Sequence, residues 1–133
     1  MWRKILGLSR TVDFTPDEFN IWDEDEEMKA FHFVSTSTIL KQVVKVGADI
    51  LHDVLPEDLI SVVTSAQIKH ISPVISGKTL VIGVRVIDVK ENQIYFRGIV
   101  TYNNKKVADV EFSRSIVSRN YLRRKAVETA SKE

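Results

Sequence analysis

The chain has 133 residues, of which 44% are hydrophobic and 28% are charged, and its formal net charge is +1. This length suits one domain, and the near-neutral charge gives no support to a nucleic-acid partner. The sequence contains no cysteine, which excludes disulfides, thiolate zinc sites and a cysteine nucleophile and fits a reducing cytoplasm. No apolar run approaches the roughly 18 residues of a membrane span, so we expect a cytoplasmic protein with no membrane partner.

The first part of the chain predicts a short strand followed by irregular, acidic sequence. Residues 8–14 are compatible with a strand, which Pro16 ends. Residues 23–27 are all acidic, and such a run repels itself and usually lies in a solvated loop or on a helix face. It has neither the spacing nor the turn glycine of a calcium loop, so we expect no metal there.

A long amphipathic helix is predicted over residues 37–54. The hydroxyl residues at 35–38 precede it, and small hydroxyl side chains accept hydrogen bonds from the unpaired N–H groups of a helix start. Gly47 lies in mid-helix, where glycine costs about 1 kcal/mol relative to alanine, and a close approach of a sheet would explain it. Spacings of three, four and seven give one wide apolar face, formed by Ile39, Leu40, Val43, Val44, Val46, Gly47, Ile50, Leu51 and Val54.

The sequence after Pro56 predicts four consecutive antiparallel strands. Apolar residues alternate with polar ones, as in a half-buried sheet, and the strands are joined by short, turn-rich links. On the face opposite the helix, Val63, Ile87 and Val89 are available for contact with a second copy of the chain. The predicted helix-facing set is Val62, Thr64, Ala66, Ile68 and His70, then Leu80, Ile82, Val84 and Val86, then Ile94, Phe96, Val100 and Tyr102, and finally Ala108, Val110, Phe112 and Ile116.

One helix and one half-buried sheet have a simple packing solution, in which the sheet curls around the helix. We therefore predict an α+β fold with a long central helix wrapped by a curved antiparallel five-stranded sheet. A single domain over residues 1–133 is expected, with its core at about 8–118. Residues 119–133 are basic and predict a surface helix or a frayed tail.

Two groups of residues are candidates for chemistry. His70 falls in phase with the apolar face of its strand, where an imidazole can act as a base or a hydrogen-bond donor, although the pattern alone favours a structural histidine. The hydroxyl residues at 35–38 mark a helix start, whose N–H groups stabilise developing negative charge, as on a thioester oxygen. Ordinary capping explains the same pattern. The sequence has no Gly-rich phosphate loop, metal motif or serine-hydrolase elbow, so no cofactor is expected.

The residues KHISP at 69–73, with GKTL at 77–80 close behind, resemble the fluoroacetyl-CoA thioesterase-like branch of the hotdog superfamily. In that branch a histidine lies seven residues before a glycine that opens the next strand, as His70 lies before Gly77. A threonine at the start of the central helix matches Thr36. The resemblance extends from about residue 11 to 122 and implies a hotdog fold, a homodimer with sites at the subunit interface, and catalytic roles for His70 and Thr36. We add Ser35, Ser37 and Gly77 as candidates for substrate binding.

One position departs from the family. Its catalytic members carry a glutamate in the helix eight residues after the threonine, where this sequence has Val44. Two functions therefore stay open. In the first, an acyl-CoA or related thioester is hydrolysed, and coenzyme A is part of the substrate. His70 orients or activates water, and Thr36 with the helix-start N–H groups holds the carbonyl of the thioester. In the second, the domain binds an acyl-thioester or small ligand without catalysis.

A third interpretation is a nucleic-acid binder that uses the basic residues near the C-terminus. No aromatic side chains are interleaved with these charges, and a solvated helix explains them better. The residues concerned are Arg119, Arg123, Arg124 and Lys125.

Overall fold

A computed structural model describes residues 2–131, which fold into a five-stranded antiparallel sheet with one long helix packed against it. The wrapped-helix α+β architecture predicted from the sequence is confirmed. The strands are β1 (Ser9–Phe14), β2 (Leu59–His70), β3 (Leu80–Lys90), β4 (Gln93–Tyr102) and β5 (Lys105–Ser118), and their order in the sheet is β1-β3-β4-β5-β2. The helices are α1 (Glu26–Lys29), α2 (Thr36–His52) and α3 (Arg119–Ser131), with 3-10 turns at Arg3–Ile5 and Glu18–Asn20.

The central helix α2 is buried along its wide apolar face. Val43, Ile50 and Leu51 are at most 4% exposed, as the spacing of apolar residues predicted. Two glycines allow the helix to lie close to the sheet: a Cβ on Gly47 would lie 2.7 Å from the ring of Phe112, and one on Gly98 would collide with Val43. The close approach inferred from Gly47 is therefore present.

A β-bulge in β2 reverses the alternation predicted for its first half. The pairing with β5 shifts between Val63 and Ser65, so Thr64 is an extra residue. Before the bulge, Val63 lies opposite the buried Arg114, on the helix-facing side, and Val62 faces outwards. The predicted faces of Val62, Thr64 and Val63 are therefore wrong, because an inserted residue changes the phase of a period-2 pattern. The later half keeps the predicted phase.

A second bulge does the same to the end of β3. Pairing with β4 shifts between Val86 and Asp88, and this turns Val89 into the core, where it is 3% exposed. The prediction that Val89 lies on the outer face is wrong for the same reason. Ile87, the extra residue, is 43% exposed.

The C-terminal segment forms a helix with no buried residue. Of the two forms predicted for residues 119–133, the surface helix is the one observed for α3, and residues 132–133 lie outside the described part of the chain. Within residues 2–131, no helix is both long and apolar enough to cross a membrane.

Candidate functional site

Thr36 and His70 meet where α2 begins and β2 ends. The Oγ1 atom of Thr36 lies 2.7 Å from Nδ1 of His70. Thr36 is the first residue of α2, and His70 is the last residue of β2, opposite the fully buried Ala108 in the sheet register. Partners in an antiparallel pair share a face of the sheet, so the imidazole lies on the helix-facing side. The packing of α2 on the sheet thus brings together two residues that are 34 positions apart.

A cavity of about 570 Å³ lies at this contact. A volume in this range, with an apolar wall and a few convergent polar groups, is typical of small-ligand sites. The wall combines the start of α2 with the segment before it and the end of β2. Its residues are Trp22, Glu24, Phe33, Val34, Ser35, Thr36, Ser37, His70 and Pro73.

Hydroxyl groups and backbone donors surround the start of α2. The Oγ of Ser35 accepts a hydrogen bond from the Thr38 N–H at 3.2 Å, and the Ser37 hydroxyl donates to it at 3.3 Å. The N–H groups of Thr36 and Ser37 belong to the first turn, which has no carbonyl four residues back within the helix. Both residues line the cavity, so this end of the helix offers donors, and the positive end of its dipole, to negative charge in a ligand.

The two ring nitrogens of His70 have different surroundings. Nδ1 contacts the Thr36 hydroxyl, and Nε2 is buried without a hydrogen-bond partner among the described residues. A proton on Nδ1, donated to Thr36 Oγ1, leaves only a lone pair unpaired at Nε2, which costs less than a buried unpaired N–H. We therefore assign the proton to Nδ1. In that tautomer the hydroxyl proton of Thr36 is available to a ligand.

The outer wall of the cavity is fixed by backbone hydrogen bonds to the segment before α2. The N–H of Trp22 donates to the carbonyl of Phe33 at 2.7 Å, and the N–H of Ser35 donates to the carbonyl of Asn20 at 2.9 Å. The indole Nε1 of Trp22 donates to Oε2 of Glu24 at 2.6 Å. This arrangement holds a carboxylate on the wall of the cavity that contains the Thr36–His70 contact.

Four of the predicted site residues line the cavity, namely Ser35, Thr36, Ser37 and His70. Gly77 does not: its N–H donates to the carbonyl of Pro16 at 2.8 Å, and its φ of 89° serves the turn before β3. Five further residues line the cavity that were not predicted from the sequence. The acidic run predicts a solvated segment, whereas the tryptophan beside it is a signal that part of the run packs. The five are Trp22, Glu24, Phe33, Val34 and Pro73.

Val44, at the position where the resemblance places a glutamate, is not among the cavity-lining residues. Its side chain packs half-buried against the hydrophobic core, and its carbonyl accepts a hydrogen bond from Nη1 of Arg114 at 2.8 Å. Burial lowers the pKa of the Arg114 guanidinium, and the nearby Asp49 opposes this effect. Within residues 2–131, no group of three or more His, Cys, Asp or Glu side chains is arranged to hold a metal ion.

The sequence profile described as fluoroacetyl-CoA-specific thioesterase, FlK, matches residues 16–120. None of the curated proteins matches the sequence. Several solved structures are similar along nearly the whole chain. A hot-dog-like protein from Thermanaerovibrio acidaminovorans is 21% identical with a TM-score of 0.86, covering 93% of this chain and 91% of that one. A hypothetical protein from Thermus thermophilus, a thioesterase superfamily member, is 14% identical with a TM-score of 0.85, covering 100% of both chains.

The fluoroacetyl-CoA thioesterase FlK itself is 14% identical with a TM-score of 0.81, covering 92% of this chain and 95% of that one. Variants of FlK have been solved in complex with acetyl-CoA and with fluoroacetate and CoA. These likenesses show that the fold is the hotdog fold, as the resemblance implied.

Proposed function

Because this chain belongs to the fluoroacetyl-CoA-specific thioesterase family, a family of acyl-thioester hydrolases, we propose that it hydrolyses an acyl-CoA or a related acyl-thioester in the cavity at the start of α2. The observation that carries the proposal is the 2.7 Å contact between Thr36 Oγ1 and His70 Nδ1 on the wall of this cavity. The complexes of FlK with acetyl-CoA and with CoA support a coenzyme A thioester as the class of ligand.

The arrangement suits the charge that thioester hydrolysis creates. Attack on the thioester carbon builds negative charge on the carbonyl oxygen, and donors that are already in place stabilise it without reorganisation. The Thr36 hydroxyl and the N–H groups of Thr36 and Ser37 are such donors. His70 donates from Nδ1 to Thr36 and so keeps the hydroxyl proton directed at the substrate. Coenzyme A is part of the substrate in this proposal and not a resident cofactor.

We also propose that the working unit is a homodimer with the site at the subunit interface. Strand β2 is the last strand of the sheet, and its residues 63–67 are exposed. An open strand edge can pair with another chain. His70 ends this strand, so a second copy paired along β2 would lie beside the cavity.

A non-catalytic acyl-thioester binding module is the second candidate, and the observation that favours it is Val44. Apolar packing occupies the helix position that catalytic members of the family fill with glutamate. Both candidates need the same cavity and the same ligand class, and they differ only in whether the C–S bond breaks.

Purified protein assayed with short, aromatic and long acyl-CoAs separates the two candidates. The assay follows release of the free CoA thiol, and the melting temperature is measured with each compound. We expect thiol release from at least one class, together with thermal stabilisation. Stabilisation without thiol release would overturn hydrolysis in favour of the binding module. If no compound gives thiol release or stabilisation, both candidates are overturned.

A further inference from the structure

The Thr36–His70 pair leaves one demand of hydrolysis unmet. The attacking water must lose a proton as its oxygen bonds to the thioester carbon. In the tautomer assigned above, Nδ1 of His70 carries its proton towards Thr36 and Nε2 is buried, so neither nitrogen is placed to accept the proton of the water.

Among the residues 2–131 that the structure describes, Glu24 is the only acidic one that lines the cavity. Its Oε2 atom accepts the hydrogen bond from Nε1 of Trp22 at 2.6 Å. A carboxylate accepts through both oxygens, so Oε1 stays available to water while the indole fixes the position of the group. The neighbouring Asp25 has a different task, since its Oδ1 accepts from the N–H of Met28 and caps α1.

We propose that Glu24 is the general base of this site. It supplies the carboxylate that α2 does not provide, since its position 44 is an apolar valine. The proposal rests on the hydrolysis proposed above. Glu24 takes a proton from water as the water oxygen bonds to the thioester carbon. The C–S bond then breaks, and the sulfur leaves with the proton that Glu24 returns. The products are the carboxylic acid and free CoA thiol, and Glu24 is restored as a carboxylate.

The test is Glu24→Gln, which keeps the shape of the side chain and removes the base. Loss of a general base costs a factor of about 100 to 10,000, so we expect kcat to fall by that factor while KM changes little. Glu27→Gln is the matched control, because Glu27 is an exposed member of the same acidic run, carries the same charge and does not line the cavity. Its kcat should stay near the wild-type value.

The outcomes separate this inference from the proposed function. Wild-type kcat in Glu24→Gln would overturn the role of Glu24 while hydrolysis by the wild type stands. A raised KM with unchanged kcat would also overturn it, because the residue would then bind substrate equally in the ground and transition states. No turnover by the wild type with any acyl-CoA would overturn both. Glu24 is exposed, so the melting temperature should not change and serves as the control for folding.

Trp22 is a positioning residue in this account, since it acts through Glu24. Trp22→Phe keeps an aromatic ring and removes the Nε1 donor, and it should lower kcat less than Glu24→Gln does. The double variant should be no slower than Glu24→Gln alone, because residues that act as a unit are not additive. If the loss of kcat in the double variant is the product of the losses in the two single variants, the positioning role of Trp22 is contradicted.

Discussion

At the scale of single residues, Asp109 on β5 shows how two cations determine the charge state of one carboxyl group. Its carboxylate accepts hydrogen bonds from Nη2 of Arg97 at 2.8 Å and from Nζ of Lys106 at 3.1 Å. The hydrogen bond from Arg97 is the largest cause that lowers the pKa of Asp109, to about 2. The ionised carboxylate is therefore favoured in the folded chain.

The pKa shift of Asp109 predicts a dependence of stability on pH. The folded pKa lies below the unfolded value of about 3.9, so the ion pair stabilises the fold above about pH 4, and this contribution is lost as the pH falls through about 2. Asp109→Asn should lower the free energy of unfolding at pH 7, and its difference from the wild type should narrow steadily below pH 4. Urea unfolding over this range measures it. A difference that is the same at both ends of the range would contradict the assignment.

The candidate site could be predicted from the sequence only in part. Thr36 and His70 could be predicted because a helix start and the phase of a strand are local patterns. The spacing of His70 from Gly77 also resembles that of the thioesterase family. Trp22 and Glu24 reach the same cavity through backbone bonds to the segment before α2. Trp22 is a local signal that part of the acidic run packs, but no local pattern predicts which acidic residue reaches the start of α2.

At the scale of elements, the distance between α2 and the sheet depends on residues that have no side chain. Gly98 on β4 lies directly against Val43 of α2, and a Cβ there would collide with it. Gly83 on the neighbouring strand β3 is a matched control, because a Cβ there would lie 3.7 Å from Thr11 Oγ1, which is ordinary van der Waals contact.

We expect Gly98→Ala to destabilise the protein and Gly83→Ala to have a small effect. Overpacking a close-packed core typically costs about 1–3 kcal/mol. Substitutions without such a clash usually stay within about 0.5 kcal/mol. Denaturant unfolding of the two variants measures the difference, and equal stabilities would show that the helix shifts freely away from the sheet.

The elements themselves could be predicted because each has a distinct hydrophobic period, 3.6 for α2 and 2 for the strands. The two bulges could not be predicted, because Thr64 and Ile87 are ordinary strand residues and nothing in their type marks an insertion. Thr64 and Ile87 interrupt the sheet register at positions that the alternation alone does not mark. The predictions of which sheet face Val63 and Val89 lie on were wrong for this reason.

At the scale of the whole molecule, the proposed homodimer depends on the open edge of β2. We predict a species of twice the chain mass of 15.2 kDa in light scattering at micromolar concentration. Val63→Glu introduces a charge on this edge strand, where Val63 is 42% exposed, and should shift the species towards the monomer. Ile87→Glu is the control, since Ile87 is equally exposed at 43% but lies on β3. A monomeric wild type would contradict the prediction, and dissociation by Ile87→Glu alone would move the interface to the outer face of the sheet.

The central claim is that an acyl-thioester is hydrolysed where Thr36 meets His70. The most direct test measures CoA thiol release by the wild type, His70→Ala, Thr36→Ala and the double variant, together with their melting temperatures. Removal of one oxyanion donor costs about 100- to 1,000-fold in kcat, so each single variant should lose activity on this scale. The double variant should lose no more, because the pair acts as a unit. Melting temperatures should stay within a few degrees, since Thr36 is exposed and His70 is half-buried at the end of an edge strand. Hydrolysis at the wild-type rate by His70→Ala would contradict the account.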